Sequence, residues 1–323
     1  MTRWTQTSAI WGTFVWLGLF AASLPGGDLE AITRLLLLAI LVLAPLCLSL
    51  VAPSDLFEQH YLPPYRATER VQPFAAMLAL VSSLLRPGIL AALLAAVWLA
   101  FTALVAWFGL HRFLSHRFTR VEEVCIDAGL IYLPVGSVWL VLSRLGANPL
   151  GFSDTIVLLT AVHFHYTGFI APVVAGMVGR QLADVRPGAS SMFRVAAIGL
   201  IAGTPLVAIG ITFSPLVEVA AVTMLVAGLL LLSFLTAFVI APAIRSRAVR
   251  ALLIVSPAAS VVAMLAAGAY GVGQFTGAPT PTIPQMVAIH GWVNALGFAL
   301  CGLIAWSIIR PKPIENLPAR GIP

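Results

Sequence analysis

The stretch LTAVHFHYTGFIAPVVAGM, residues 159–177, runs for 19 residues without a formally charged side chain, yet it places His163 and His165 one residue apart. As a helix rising 1.5 Å per residue it would be ~28 Å long, close to the ~30 Å of hydrocarbon in a bilayer. A soluble helix needs a polar face, and this one has none. The reading that follows is a transmembrane helix, and it settles the class of the whole chain.

The remaining sequence repeats that pattern. Hydrophobic residues make up 60% of the 323 and charged residues 9%, with a mean hydropathy of +1.00. Soluble domains carry about a quarter charged residues. Ten apolar spans can be drawn, at 8–24, 31–52, 73–85, 89–110, 124–143, 155–177, 195–213, 216–241, 251–271 and 285–309. The third is short, a tilted span or an interfacial helix. The fold expected is all-α, a single polytopic bundle of nine or ten transmembrane helices without a soluble domain.

Charge placement tests the count. With ten spans the termini share a side, and the loops alternating onto it hold 15 of the 18 basic residues, leaving Arg34, Arg86 and Arg144 opposite. Positive loops stay cytoplasmic, so both termini are expected inside, in a multi-pass protein of the cell inner (plasma) membrane. The net charge of +6 follows from that bias and from contact with anionic membrane lipids. No nucleic-acid partner is expected, because the arginines spread over every inner loop and form no dense patch. With only Arg3 ahead of the first apolar segment and no small-x-small site, that segment reads as a retained helix. Cys47, Cys125 and Cys301 fall within spans and lack CxxC spacing. Residues 53–72 contain Pro63 and Pro64, which predicts a structured loop there in place of a continuous helix.

Ionisable groups inside the hydrocarbon need a reason. Entering from the outer side, His163 lies ~12 Å and His165 ~15 Å down the sixth span, and His290 ~8 Å and Asn294 ~14 Å down the tenth. The loop before the sixth span adds Arg144, Ser153 and Asp154. His163, His165, His290, Asp154 and Asn294 are the candidate catalytic set, with Arg144, Ser153, Tyr166 and Trp292 as candidate substrate contacts. Tyr166 and Trp292 also suit packing or interfacial roles. The three imidazoles are expected to converge in an outer-leaflet chamber between spans five, six and ten. A second group, His111, His116, Glu122, Glu123 and Asp127, lies at the inner face, where a solvated ion-pair loop accounts for the glutamates and Asp127 could pair with an arginine.

Two words resemble metal-binding motifs. HRFLSH, residues 111–116, looks like the first histidine box of membrane acyl desaturases, but the chain has six histidines and no HH pair. VHFHY, residues 162–166, resembles the haem-ligating helix of haem–copper oxidases. Residues i and i+2 point about 200° apart on a helix, so they serve two sites and cannot chelate one ion. The copper-site histidines are missing, and only His290 is placed to be a partner. No metal site is assigned, and a haem or metal role stays an alternative to chemistry needing no cofactor.

A broader resemblance rests on NPLGFS (148–153), LTAVHFHYTGF (159–169) and HGWVNALGF (290–298). These words are similar to the YndJ-like family of bacterial multi-pass membrane proteins. The resemblance implies an integral membrane protein and supplies no catalytic assignment. From the residues, the leading expectation is a membrane-embedded enzyme doing acid–base chemistry (isomerisation, cyclisation or epoxide opening) on a lipophilic small molecule. A transporter or proton-coupled carrier using the same residues is the alternative.

Overall fold

The computed structural model describes residues 3–21, 27–52, 62–116 and 120–312; among them every regular element is helical. Ten helices follow one another: α1 Arg3–Ala21, α2 27–50, α3 Leu62–Leu84, α4 Ile89–His116 and α5 Val121–Leu145. Then come α6 Asp154–Val185, α7 Ser190–Phe213, α8 Pro215–Ala243, α9 Arg247–Thr276 and α10 Ile283–Ile309. They match the ten apolar spans in order. All but α1 and α3 are long and apolar enough to cross a membrane. The chain is an all-α polytopic membrane bundle.

Sequential neighbours pack as antiparallel pairs, most extensively α4 with α5 and α7 with α8. The core sits around α2 and α6, whose most apolar windows are 78% and 67% buried, against 33–50% in the other long apolar helices. The reason is in the sequence of α2: LLLLAILVLAPLCLSL, residues 35–50, is apolar all round, and such a helix is stable only with neighbours on every side. It meets α1, α3, α6 and α10. Hydroxyls and amides then tie the helices across the apolar interior: Thr102 to Ser137 (2.9 Å), Tyr132 to the Ile201 carbonyl (3.1 Å) and Ser256 to the Phe298 carbonyl (2.9 Å). Between α8, α9 and α10 a void of about 10 Å³ beside Ser233, Thr236 and Ser256 has room for one water.

The third helix departs from expectation. Residues 62–72 are helical and extend the third span to 23 residues, Leu62–Leu84. Pro63 and Pro64 occupy its first turn, where no carbonyl four residues back awaits a donor and the ring's fixed φ suits a helix start. Gln72 accepts from Ser8 on α1 and donates to the Ile40 carbonyl on α2 (3.2 Å), so this end of α3 is docked. His60, in the preceding stretch, lies outside the described residues.

Proline also shapes the helices internally. Three wide π-helical stretches, Ala39–Leu43, Phe164–Ile170 and Leu235–Ile240, end one residue before the residue preceding Pro45, Pro172 and Pro242. Each proline removes a donor and crowds the carbonyl one turn back, and a widened turn relieves both. The fourth stretch, Val287–Leu300, contains no proline; nothing in its packing explains its length.

At the Arg-rich end, α4, α5 and α6 are clamped by buried charges. Arg112 donates to Asp127 (2.8 Å) and Glu123 (2.7 Å), and Arg180 grips Glu123 with two bonds of 2.7 Å. All four residues are at most 4% exposed. The expected pairing of Asp127 with an arginine is present, but the expected solvated loop is replaced by a dry, charge-neutral quartet. Arginine's fork supplies the geometry that such burial requires. Removing Glu123 strands the Arg180 cation while Arg112 keeps Asp127, so Glu123→Ala should destabilise the solubilised protein by about 3–5 kcal/mol, read as a lowered thermal midpoint.

Candidate functional site

The two histidines of α6 diverge. A bundle interior leaves no water for an imidazole, so each ring nitrogen must find a protein partner. His165 Nδ1 lies 2.7 Å from the Ala161 carbonyl, and its Nε2 lies 3.0 Å from the Trp98 indole N–H on α4. A carbonyl only accepts and an indole N–H only donates. His165 is thus fixed as the neutral ring, protonated at Nδ1 and lone-paired at Nε2. It is 1% exposed and lies nearly coplanar with Trp98, 18° between the rings and centroids 6.2 Å apart, as the in-plane hydrogen bond requires. Behind it stands Gly136 of α5, where a Cβ would come within 2.7 Å of His165 Nδ1. Every group on this ring is spent on packing.

His163 points the other way and meets His290 of α10, the ring centroids 6.2 Å apart and 25° from parallel. His163 Nδ1 lies 2.8 Å from the Leu159 carbonyl, and His290 Nδ1 lies 2.9 Å from the Ala263 carbonyl on α9. The carbonyls fix a proton on Nδ1 in both rings, and neither Nε2 has a hydrogen-bond partner among the described residues. His163 is exposed on the flank of the bundle and His290 is half-buried. One turn below His290, half-buried Asn294 has no side-chain hydrogen bond among the described residues. The widened turns of α6 and α10 begin at Phe164 and Val287, so the pair stands where both helices leave regular α geometry. Such departures recur at functional sites.

The other expected members do not reach this pair. Ser153 caps α6, its Oγ 3.4 Å from the Ile156 N–H, and Asp154 in the first turn accepts from Asn148 at 2.8 Å. Both satisfy the helix start, and Asp154 lies ~13 Å along the axis from His163. The Leu159 carbonyl, and no carboxylate, orients His163. Arg144 bonds the Leu85 carbonyl and holds the α3–α4 turn. Tyr166 donates to the Leu35 carbonyl (2.9 Å), fastening α6 to α2. Trp292 packs in an aromatic group with Trp16 and Phe20, beneath the Arg34 guanidinium. The expected three-imidazole chamber is corrected to a two-imidazole pair bounded by α6, α9 and α10. Helix α5, expected to wall it, packs on α4, α6 and α7.

At the Arg-rich end His111 is exposed, and the side chain of His116 lies outside the described residues. Glu123 and Asp127 belong to the quartet, and Glu122 does not. Among the described residues no group of three His, Cys, Asp or Glu gathers to hold a metal. Sequence reasoning missed Trp98, because a tryptophan in an apolar span carries no mark of a bonded histidine. It also missed the Glu30–Arg34 ion pair on α2, whose i, i+4 spacing is the available signal.

A family model described as "YndJ-like protein" matches residues 34–298, the segment holding both imidazoles and the quartet. The chain belongs to the YndJ-like family. A relative in Bacillus subtilis (strain 168), "Uncharacterized membrane protein YndJ", is 31% identical over 317 residues. The alignment takes in 96% of this chain and 54% of that protein, so the YndJ-like chain spans about half the length of the curated relative it matches. No solved structure is significantly similar.

In this YndJ-like chain, His165→Ala should lower thermal stability by about 1–3 kcal/mol, because it opens a cavity and leaves the Trp98 N–H buried without an acceptor. The double change Trp98→Phe with His165→Leu, which removes donor and acceptor together, should recover much of that loss in the same melting experiment.

Proposed function

We propose that the YndJ-like chain is a bacterial plasma-membrane enzyme whose His163–His290 pair does acid–base chemistry on a lipophilic molecule drawn from the bilayer. One observation supports this above the rest: two imidazoles from different helices face each other with Nδ1 anchored to carbonyls and Nε2 open. Two adjacent bases accept one proton more readily than two, because like charges at that separation oppose each other. The pair is therefore suited to a single mobile proton. One Nε2 removes it from substrate, and the resulting imidazolium returns it at a second atom of the same substrate. That exchange balances as an isomerisation or ring closure and requires no cofactor. Asn294 offers an amide to hold a substrate oxygen. The exposed flank of His163 favours lateral entry from lipid.

A proton-coupled carrier is the second reading, and the same open Nε2 pair favours it, since a shared proton could be relayed across the pair. Haem or metal ligation finds support in the Nδ1 tethers, which resemble those behind metal-bound histidines; for a metal ion, no third His, Cys, Asp or Glu joins the pair among the described residues.

The test compares lipid extracts by mass spectrometry from cells lacking the gene and cells complemented with parent, His163→Gln or His290→Gln. A lipophilic species should convert only with the parent, each variant falling roughly 10²–10⁴-fold, while Asp154→Asn stays within a few-fold. Equal extracts in all strains, with pH-driven uptake of a solute in proteoliposomes, would replace the enzyme with the carrier.

A further inference from the structure

A site unconnected with the histidine pair lies at the Arg-rich end. Glu122 and Glu123 are adjacent on the first turn of α5, about 100° apart around the axis. Glu123 takes both available guanidinium groups of the buried quartet. Glu122 takes none. It is 8% exposed, and its Oε1 is fully buried without a hydrogen-bond partner. A carboxylate oxygen held out of water without a partner is costly, and the Glu122 side chain lines a crevice of about 220 Å³ between α5, the end of α6 and the start of α7.

The rest of the crevice defines what would compensate it. Arg186 lines it from the exposed α6–α7 turn and has no ion-pair partner among the described residues. Beside it Ser190 opens α7, a 24-residue helix without a side-chain cap; the Ser190 N–H donates to the Pro187 carbonyl of the preceding turn, and the positive end of the helix dipole beyond it favours an anion. Leu182 and Phe193 give an apolar wall. The floor at Gly179 is tight: a Cβ there would meet Phe193 Cζ at 2.5 Å and Glu122 Cβ at 2.6 Å. The crevice is smaller than the ~300–1,000 Å³ of drug-sized sites, which fits a headgroup and excludes a whole amphiphile.

We infer that this crevice binds the headgroup of a zwitterionic phospholipid bearing a primary ammonium: the ammonium on Glu122, the phosphate at Arg186 and the α7 N-terminus. Position selects a lipid over a free phosphate ester, because the crevice opens at the ends of membrane-crossing helices, where headgroups lie. A quaternary ammonium cannot donate a hydrogen bond to Glu122, and an anionic headgroup sets negative charge against it. Ethanolamine phospholipid should therefore be preferred over choline and glycerol phospholipids.

Native mass spectrometry of the delipidated full chain, titrated separately with the three phospholipids and with free phosphoethanolamine, tests this. Ethanolamine phospholipid should bind at least about tenfold more tightly than the others. Glu122→Gln, which keeps shape and removes charge, should abolish that preference, a loss of the size expected for one charge-assisted hydrogen bond, whereas Arg186→Gln, at the surface, should weaken all three lipids together, because the phosphate is common to them. Equal retention of all three lipids by the parent, a preference that survives Glu122→Gln, or affinities unchanged in Arg186→Gln overturns the proposal. Should Glu122→Gln fail to fold, the parent's preference and the uniform loss in Arg186→Gln decide. Phosphoethanolamine binding as tightly as the lipid overturns the lipid source.

Discussion

Within hydrocarbon no water stands ready to accept from a nitrogen or donate to an oxygen, so each polar atom must be answered by the protein itself. That constraint governs every level of this molecule. It makes the backbone helical throughout the described regular structure. It sends the Nδ1 of His163, His165 and His290 to three carbonyls, and it gathers Arg112, Arg180, Glu123 and Asp127 into one neutral group. Among the atoms that escape it are the two open Nε2 positions and the Glu122 oxygen, and these are the ones that stand beside a second candidate group.

The divergence of His163 from His165 follows from helix geometry, and its outcome depends on what each direction meets. Toward α4 the ring meets an indole that completes its bonding. Toward α10 it meets another imidazole tethered in the same way through Nδ1. One histidine is thereby a packing element and the other half of an imidazole pair, although one residue separates them and their sequence surroundings are alike.

Much of the architecture was legible in the sequence, because apolar runs and arginine-rich loops report on solvent directly. Ten spans correspond to ten helices in order. The opposed directions of His163 and His165, and the partnership of Asp127 with an arginine, followed from spacing and charge. What eluded sequence reasoning depends on tertiary contact. Pro63 and Pro64 read as breakers until the helix start was placed upon them. Ser153, Asp154 and Arg144 looked like site residues because their polarity is visible, whereas their caps and turn contacts are not. Nothing in VEEVC tells which glutamate faces the arginines, since that depends on the rotation of α5 against α4 and α6.

The buried charge quartet also has a history written in chain order. Arg112, Glu123 and Asp127 lie on consecutive helices and emerge together during synthesis, and by themselves they carry one excess negative charge. Arg180 follows 57 residues behind Glu123. That trio therefore holds an uncompensated negative charge until the end of α6 arrives with Arg180, so α6 is drawn to a docking place that the earlier helices have already charged.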